Sequence, residues 1–368
     1  MQIKFYLASL LFACITYTMH AQDTTKAKPE FKPAGKLWGY VFGDYYYKLQ
    51  SDSMGRGTGE YSNMKEGANA FEFRRIYLGY DYRISEKFSA ELLLAHEKNY
   101  DANSNRTVFI KSANVRWKNI FPKNDLVIGQ SASPTWPLLT EKLWGYRSVE
   151  RMPEDIHKLG NSNDVGIALQ GKIDSAGNFG YNLMVGNGTT SKAETDVFKK
   201  MYGEVYAKFF KQKLILDFYA DFERKQLKPY GKDYSTYKIF LAYQAKWFTI
   251  GAEAYYQFQD FIPYDQNTDK EIIGTSLFVR AVVIKDKLNF FARTDSYSSD
   301  LVTSSTFYLS TESSIVTGFD YTPNKNIHII PNIWISYYSS EDASSPANSP
   351  IIHGKDVVLR LTFHYIFK

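Results

Sequence analysis

The connections between the apolar segments of this chain alternate strictly in length. From residue 36 onward, sixteen stretches of about ten residues carry apolar side chains at every second position, each bounded by turn-forming residues. Short connections fall near 83–87, 119–124, 174–178, 211–213, 246–247, 285–287 and 323–326. Longer polar ones fall near 51–68, 99–106, 131–163, 187–198, 224–234, 260–270, 299–306 and 339–354. Seven short and eight long connections join sixteen strands. In an up-and-down sheet, this parity puts every short turn at one end and every long loop at the other. A soluble sandwich or propeller gives its connections no reason to sort in this way.

The two faces of each segment differ in kind. Leu214, Leu216, Phe218, Ala220 and Phe222 alternate with Asp217, Tyr219 and Asp221, and Tyr237, Ile239, Leu241 and Tyr243 alternate with Lys238, Phe240, Ala242 and Gln244. A sheet with a greasy outside needs lipid around it. In hydrocarbon it must also close, because an open edge leaves backbone N–H and C=O groups unpaired. The chain is 44% hydrophobic and 17% aromatic, which excludes disorder, and beyond its first residues it has no run of about 18 apolar residues to form a spanning helix. The expected fold is therefore all-β: a sixteen-stranded antiparallel transmembrane β-barrel with long extracellular loops and short periplasmic turns. Trp38, Tyr40, Tyr80, Tyr82, Trp117, Trp247, Tyr256 and Phe258 lie near strand ends and are expected in interfacial girdles. Two residues disturb the pattern. Pro331 cannot donate to a ladder, so a β-bulge is expected there. Arg74 shares a face with Ile76 and Leu78, which places it above the lipid or marks a wrong strand boundary.

Residues 1–21 read as a signal peptide, with Lys4, an apolar stretch from Phe5 to Thr16 and a small residue, Ala21, at the cleavage point. Cleavage there removes Cys14, the only cysteine. Residues 22–35 form a polar lead-in with Pro29 and Pro33, and 36–368 form the barrel. The 44 basic and 39 acidic residues are scattered without a basic stripe, which excludes a nucleic-acid binder. The partners implied are outer-membrane lipid and small hydrophilic solutes or anions.

Inward positions of the expected strands carry Arg75, Arg116, Lys172, Lys208, Lys238, Lys246, Arg280, Arg293 and Arg360, together with Glu91, Asp217, Asp221, Glu253, Asp295 and Asp320. Charges around a narrow pore set ion preference. The cationic excess points to mild anion preference; the plainer reading is that opposite charges pair across the lumen and select only by size. His96, His157, His328, His353 and His364 occur singly, without metal-ligand spacing, so neither a metal nor a cofactor is expected. Gly55 to Gly59 form a loop tip without the strand-to-helix setting of a phosphate loop.

Several stretches resemble the phosphate-selective porin O and P family of Bacteroidota-type outer membranes. They are Phe73-Arg74-Arg75-Ile76 with Leu78-Gly79 and Glu86-Lys87-Phe88-Ser89, Ala113-Asn114-Val115 with Leu126 to Gln130 and Pro134, Phe291 to Asp295, Thr317 to Tyr321, and the aromatic last strand. The resemblance spans about 70–368. It implies a pore, a homotrimer, and a third extracellular loop folded into the lumen as a constriction. The third long connection, 131–163, is also the longest. It would place Lys142, Arg147, Glu150, Arg151 and Asp155 at the narrowing, beside Trp136, Trp144 and Tyr146. This loop carries four cations and four anions, and the chain ends in Lys368 where the family has an aromatic residue. The expected function is a non-enzymatic porin for passive diffusion. Two rivals are a barrel with a blocked lumen acting as adhesin or anchor, and an acyl hydrolase using a serine with His96 or His364.

Overall fold

The structure, a computed structural model, describes residues 31–225, 232–261, 267–303, 307–341 and 351–368. The expected leader 1–21 and residues 22–30 of the lead-in lie outside the described residues. Sixteen strands run β1 Ala34–Gln50, β2 Asn69–Arg83, β3 Phe88–His96, β4 Phe109–Phe121, β5 Asn124–Ala132, β6 Asn163–Lys172, β7 Phe179–Gly186 and β8 Lys200–Phe209. They continue as β9 Leu214–Arg224, β10 Lys232–Gln244, β11 Phe248–Phe261, β12 Asn267–Ile284, β13 Leu288–Thr303, β14 Phe307–Asn324, β15 Ile327–Glu341 and β16 Ile351–Phe367. Each pairs antiparallel with its sequence neighbours, and β1 closes on β16 from Gly39 opposite Phe367 to Lys48 opposite Val358. Closure leaves no unpaired edge.

Side-chain alternation across the pleat separates the two faces. On β10, Ile239 and Leu241 are 45% and 46% exposed on the outside, while Phe240 and Ala242 between them are 1% exposed. Among the described residues every strand but β13 repeats this arrangement with exposed outward Leu, Ile, Val, Phe or Tyr, so the barrel spans a membrane. Strands β10 to β16 are 13 to 18 residues long, and the expected loops 260–270 and 299–306 are mostly strand. Above the lipid, each further rung still pairs backbone groups, and polar side chains do not interrupt it.

Three expectations are corrected. Phe42 stands opposite Arg75 and Gly43 opposite Phe73, so Arg74 is an extra residue in a β-bulge. The bulge turns Arg74 inward beside Arg75, and it is buried inside the barrel. At Pro331 the register does not shift. Pairing to β14 lapses between Gly318–Asn332 and Tyr321–Ile329, pairing with Leu361 of β16 is unbroken, and the irregularity lies at Tyr321/Asn324. The missing N–H is absorbed by skipping rungs. Trp38 and Tyr40 face the lumen, because Leu37 and Gly39 take the outward positions, whereas Tyr80, Tyr82 and Trp117 are exposed outside.

Candidate functional site: a loop across the lumen

The connection 133–162 folds into the barrel. It holds two short helices, α1 Thr140–Trp144 and α2 Pro153–Ile156, and buries Trp136, Leu143, Trp144, Val149 and Met152 against the wall. Trp144 meets Phe278 and Phe291 at 5.4 and 6.0 Å, with the Arg293 guanidinium 4.8 Å from its ring. Tyr146 packs on Phe291 at 4.4 Å. The aromatic residues of the loop thus form its own core with β12 and β13. Gly145 ends α1 in the left-handed region at φ 71°, a conformation that favours glycine.

Polar anchors fix the same side. Arg74 pairs with Asp44 at 2.6 Å and donates to the carbonyls of Ser148 and Val149. Arg360 of β16 pairs with Glu150 at 3.1 Å and donates to Asn332 at 2.8 Å. Lys238 donates to the Thr135 carbonyl and lies 3.7 Å from Glu154 and 3.9 Å from Asp217. Gln257 donates to the Leu159 carbonyl at 2.7 Å. His157 stacks on Tyr297 at 3.7 Å; burial, then the charge of Arg151, pushes its pKa down to about 3 and keeps it neutral.

The other side of the loop faces water. Glu141, Arg147, Arg151 and Asp155 keep 15 to 21% side-chain exposure, whereas Glu150 keeps none. Arg147 pairs with Glu141 and, at 3.1 Å, with Asp155; Arg151 reaches Glu60 at 3.9 Å. On the wall, Arg75 lies 3.9 Å from both Glu60 and Glu97, and Lys111 lies 2.7 Å from Glu97. These groups bound a charged slot between the loop and β2–β4. Burial alone would raise the Glu97 carboxyl, but Lys111, Arg75 and Arg147 overcome it and hold its pKa at about 2. Burial likewise opposes the charge of Arg147, and Glu141 with its neighbours keeps that guanidinium well above its ordinary value.

The expected lumen cations divide into two groups. Arg75, Lys238, Arg293 and Arg360 are locked in buried pairs, with Arg293 at 2.9 Å from Asp295. Arg116 pairs with Asp125 at 3.1 Å on a wetter part of the wall. Lys172 is exposed at the end of β6, Lys208 lies over the Tyr206 ring at 5.2 Å, and Lys142 is exposed on α1. None of these three lysines, nor Arg280 on β12, has an ion pair among the described residues. Lys246 lies in the turn between β10 and β11, 4.9 Å from the Trp247 ring, so it is not a wall residue as expected. Sequence reasoning missed Arg74, Asp44, Glu97, Lys111 and the buried pair of Lys48 with Asp356 at 2.6 Å. The Arg-Arg break in alternation was the one available signal. His364 faces inward, stacked on His328, and the His96 Nδ1 lies 3.0 Å from the Thr107 carbonyl. Neither faces a serine on the outer wall.

A closed sixteen-stranded antiparallel barrel with an apolar outer belt and a loop crossing its lumen is a barrel of the outer-membrane porin type. No family model matches the chain, and no curated protein sequence matches it. Among solved structures, the chain is similar to an anion-selective porin from Comamonas acidovorans. The two are 11% identical with a TM-score of 0.61, and the match covers 91% of this chain and 100% of that one. It is also similar to OmpT of Vibrio cholerae, at 9% identity and a TM-score of 0.59, covering 93% and 100%. At these identities the likeness is one of fold.

Proposed function

We propose that the protein is an outer-membrane porin through which small hydrophilic solutes diffuse passively, with mild anion preference. The observation that carries the reading is the slot between loop 133–162 and β2–β4, where charged side chains that keep 7 to 21% exposure face one another inside a closed barrel. Passage through it depends on width and electrostatics alone. Around the slot cations and anions are paired, while Lys142, Lys172 and Lys208 on the periplasmic side have no ion pair among the described residues, and these supply the anion preference. The reading includes residues 1–21 as an export leader and assigns no catalytic residue. Membership of the phosphate-selective porin O and P family belongs to the same proposal, supported by the stretches within 70–368. A trimer is its oligomeric form, as in a structure of Vibrio cholerae OmpT described as a trimer form, at 10% identity, a TM-score of 0.56 and coverage of 91% and 99%.

Reconstitution in planar bilayers tests the proposal. A steady current with a reversal potential on the anion side is expected in a salt gradient, and Arg147→Glu with Arg151→Glu should shift it toward cations. No steady current from the folded barrel would favour the blocked-lumen reading, and an unmoved reversal potential would remove the slot from the permeation path.

A further inference from the structure

Beneath the loop, β10–β15 enclose a cavity of about 420 Å³ that opens among Gln244, Thr249, Arg280 and Asn289. Arg280 stands on the inward face of β12, with Thr249 and Phe291 as its cross-strand neighbours. Its guanidinium has no hydrogen bond or ion pair among the described residues, and neither do the side chains of Gln244, Thr249 and Asn289. A Cβ on Gly145 would lie 2.3 Å from Arg280 Nη1, so the glycine that ends α1 also gives the guanidinium its space. The acid in the same cavity is already engaged: Asp320 lies 2.9 Å from His328 Nδ1 and accepts from the Tyr146 hydroxyl at 3.4 Å.

We infer that this cavity binds the carboxylate of a small organic monoanion, with Arg280 as its fork. An unused guanidinium offers two parallel N–H donors that match a planar carboxylate, and the side chains of Thr249, Gln244 and Asn289 supply further neutral donors. Arg280 and Lys246 both line the cavity without an ion pair among the described residues, and against the Asp320 carboxylate they leave one net positive charge, which fits a single negative charge. The volume exceeds what a carboxylate alone fills and leaves room for a short organic body beside Tyr146. This site differs from the slot, where the cations already have partners. The inference rests on the reading that water and solutes reach the periplasmic side of the loop.

The test is saturation-transfer NMR on the detergent-solubilised full chain, with butyrate as probe and acetate and inorganic phosphate as competitors. Saturable transfer to butyrate is expected, with acetate competing better than phosphate. Arg280→Gln should weaken apparent binding at least about tenfold, and Arg280→Lys, which keeps charge but loses the fork, should fall between. Thr249→Glu, which offers Arg280 a carboxylate from the wall, should abolish binding and provides a second route if the glutamine variant folds poorly. Wild-type transfer in Arg280→Gln or Thr249→Glu overturns the inference, as does phosphate outcompeting acetate. The signal needs no current. A barrel that binds butyrate without conducting keeps the site and loses the channel; a conducting barrel whose Arg280→Gln variant binds normally loses only the site.

Discussion

Glu150 is the point at which the loop can be released with least damage to the barrel. Its carboxylate and the Arg360 guanidinium are both fully buried at 3.1 Å, and Arg360 has one other strong partner, Asn332 at 2.8 Å. Removing one member of a buried pair typically costs about 3–5 kcal/mol, because the other is left charged and dry. Arg360 belongs to a wall closed by continuous pairing from β15 to β1, so the wall cannot yield. The loop can, by lifting and letting water reach the guanidinium. At about 1.4 kcal/mol per tenfold, the open population of the loop in Glu150→Ala rises roughly a hundred- to several-thousand-fold. The bonds from Arg74 to Ser148 and Val149 still oppose opening. Single-channel recording should then show frequent excursions to a larger conductance. Glu150→Met with Arg360→Met leaves no orphaned charge and should return the quiet wild-type trace. A quiet Glu150→Ala channel, or a double variant as noisy as the single one, would refute the view that this pair holds the loop.

Two further outcomes are expected. The Glu97 carboxyl, held at about 2 against an ordinary value of 4.5, contributes stability that is complete above the ordinary value and is lost as pH falls toward 2. The advantage of the wild type over Glu97→Gln in detergent unfolding, up to roughly 3 kcal/mol at pH 7, should vanish near pH 2; a constant difference would contradict the assignment. Lys172→Gln with Lys208→Gln should reduce anion preference by several-fold in about 0.1 M salt, where the screening length is about 10 Å, and the two proteins should converge in about 1 M salt, where it is about 3 Å. Reversal potentials at the two concentrations check this.

The barrel was legible because a two-residue period and connection parity are written directly into the chain: Leu241 against Ala242 needs no tertiary knowledge to interpret. What the period cannot encode is depth along the axis or what packs above a residue. Arg293, Lys208 and Arg280 read identically as inward cations, yet Arg293 lies under Trp144 and is paired with Asp295, Lys208 stands half-buried by a tyrosine, and Arg280 has no ion pair among the described residues. The loop decides among them, and its path was suggested by resemblance rather than by pattern. Arg74 shows the reverse failure, since one inserted residue flips a face and periodicity then assigns it to the wrong side.

The division of lumen charges follows from how the loop is built. A loop that must stay inside a wet barrel needs apolar contacts on one side, and Trp136, Trp144, Val149 and Met152 supply them. Carrying that core inward also buries nearby backbone carbonyls and carboxylates, so the wall must provide cations to meet them: Arg74, Lys238 and Arg360. Those cations are consumed by the loop and present only dipoles to a passing ion, whose attraction falls off faster than that of a free charge. Lysines that the loop does not reach keep their full field. In the proposed porin, anion preference is therefore set by the charges that holding the loop leaves over, and it is weak because most of them are used.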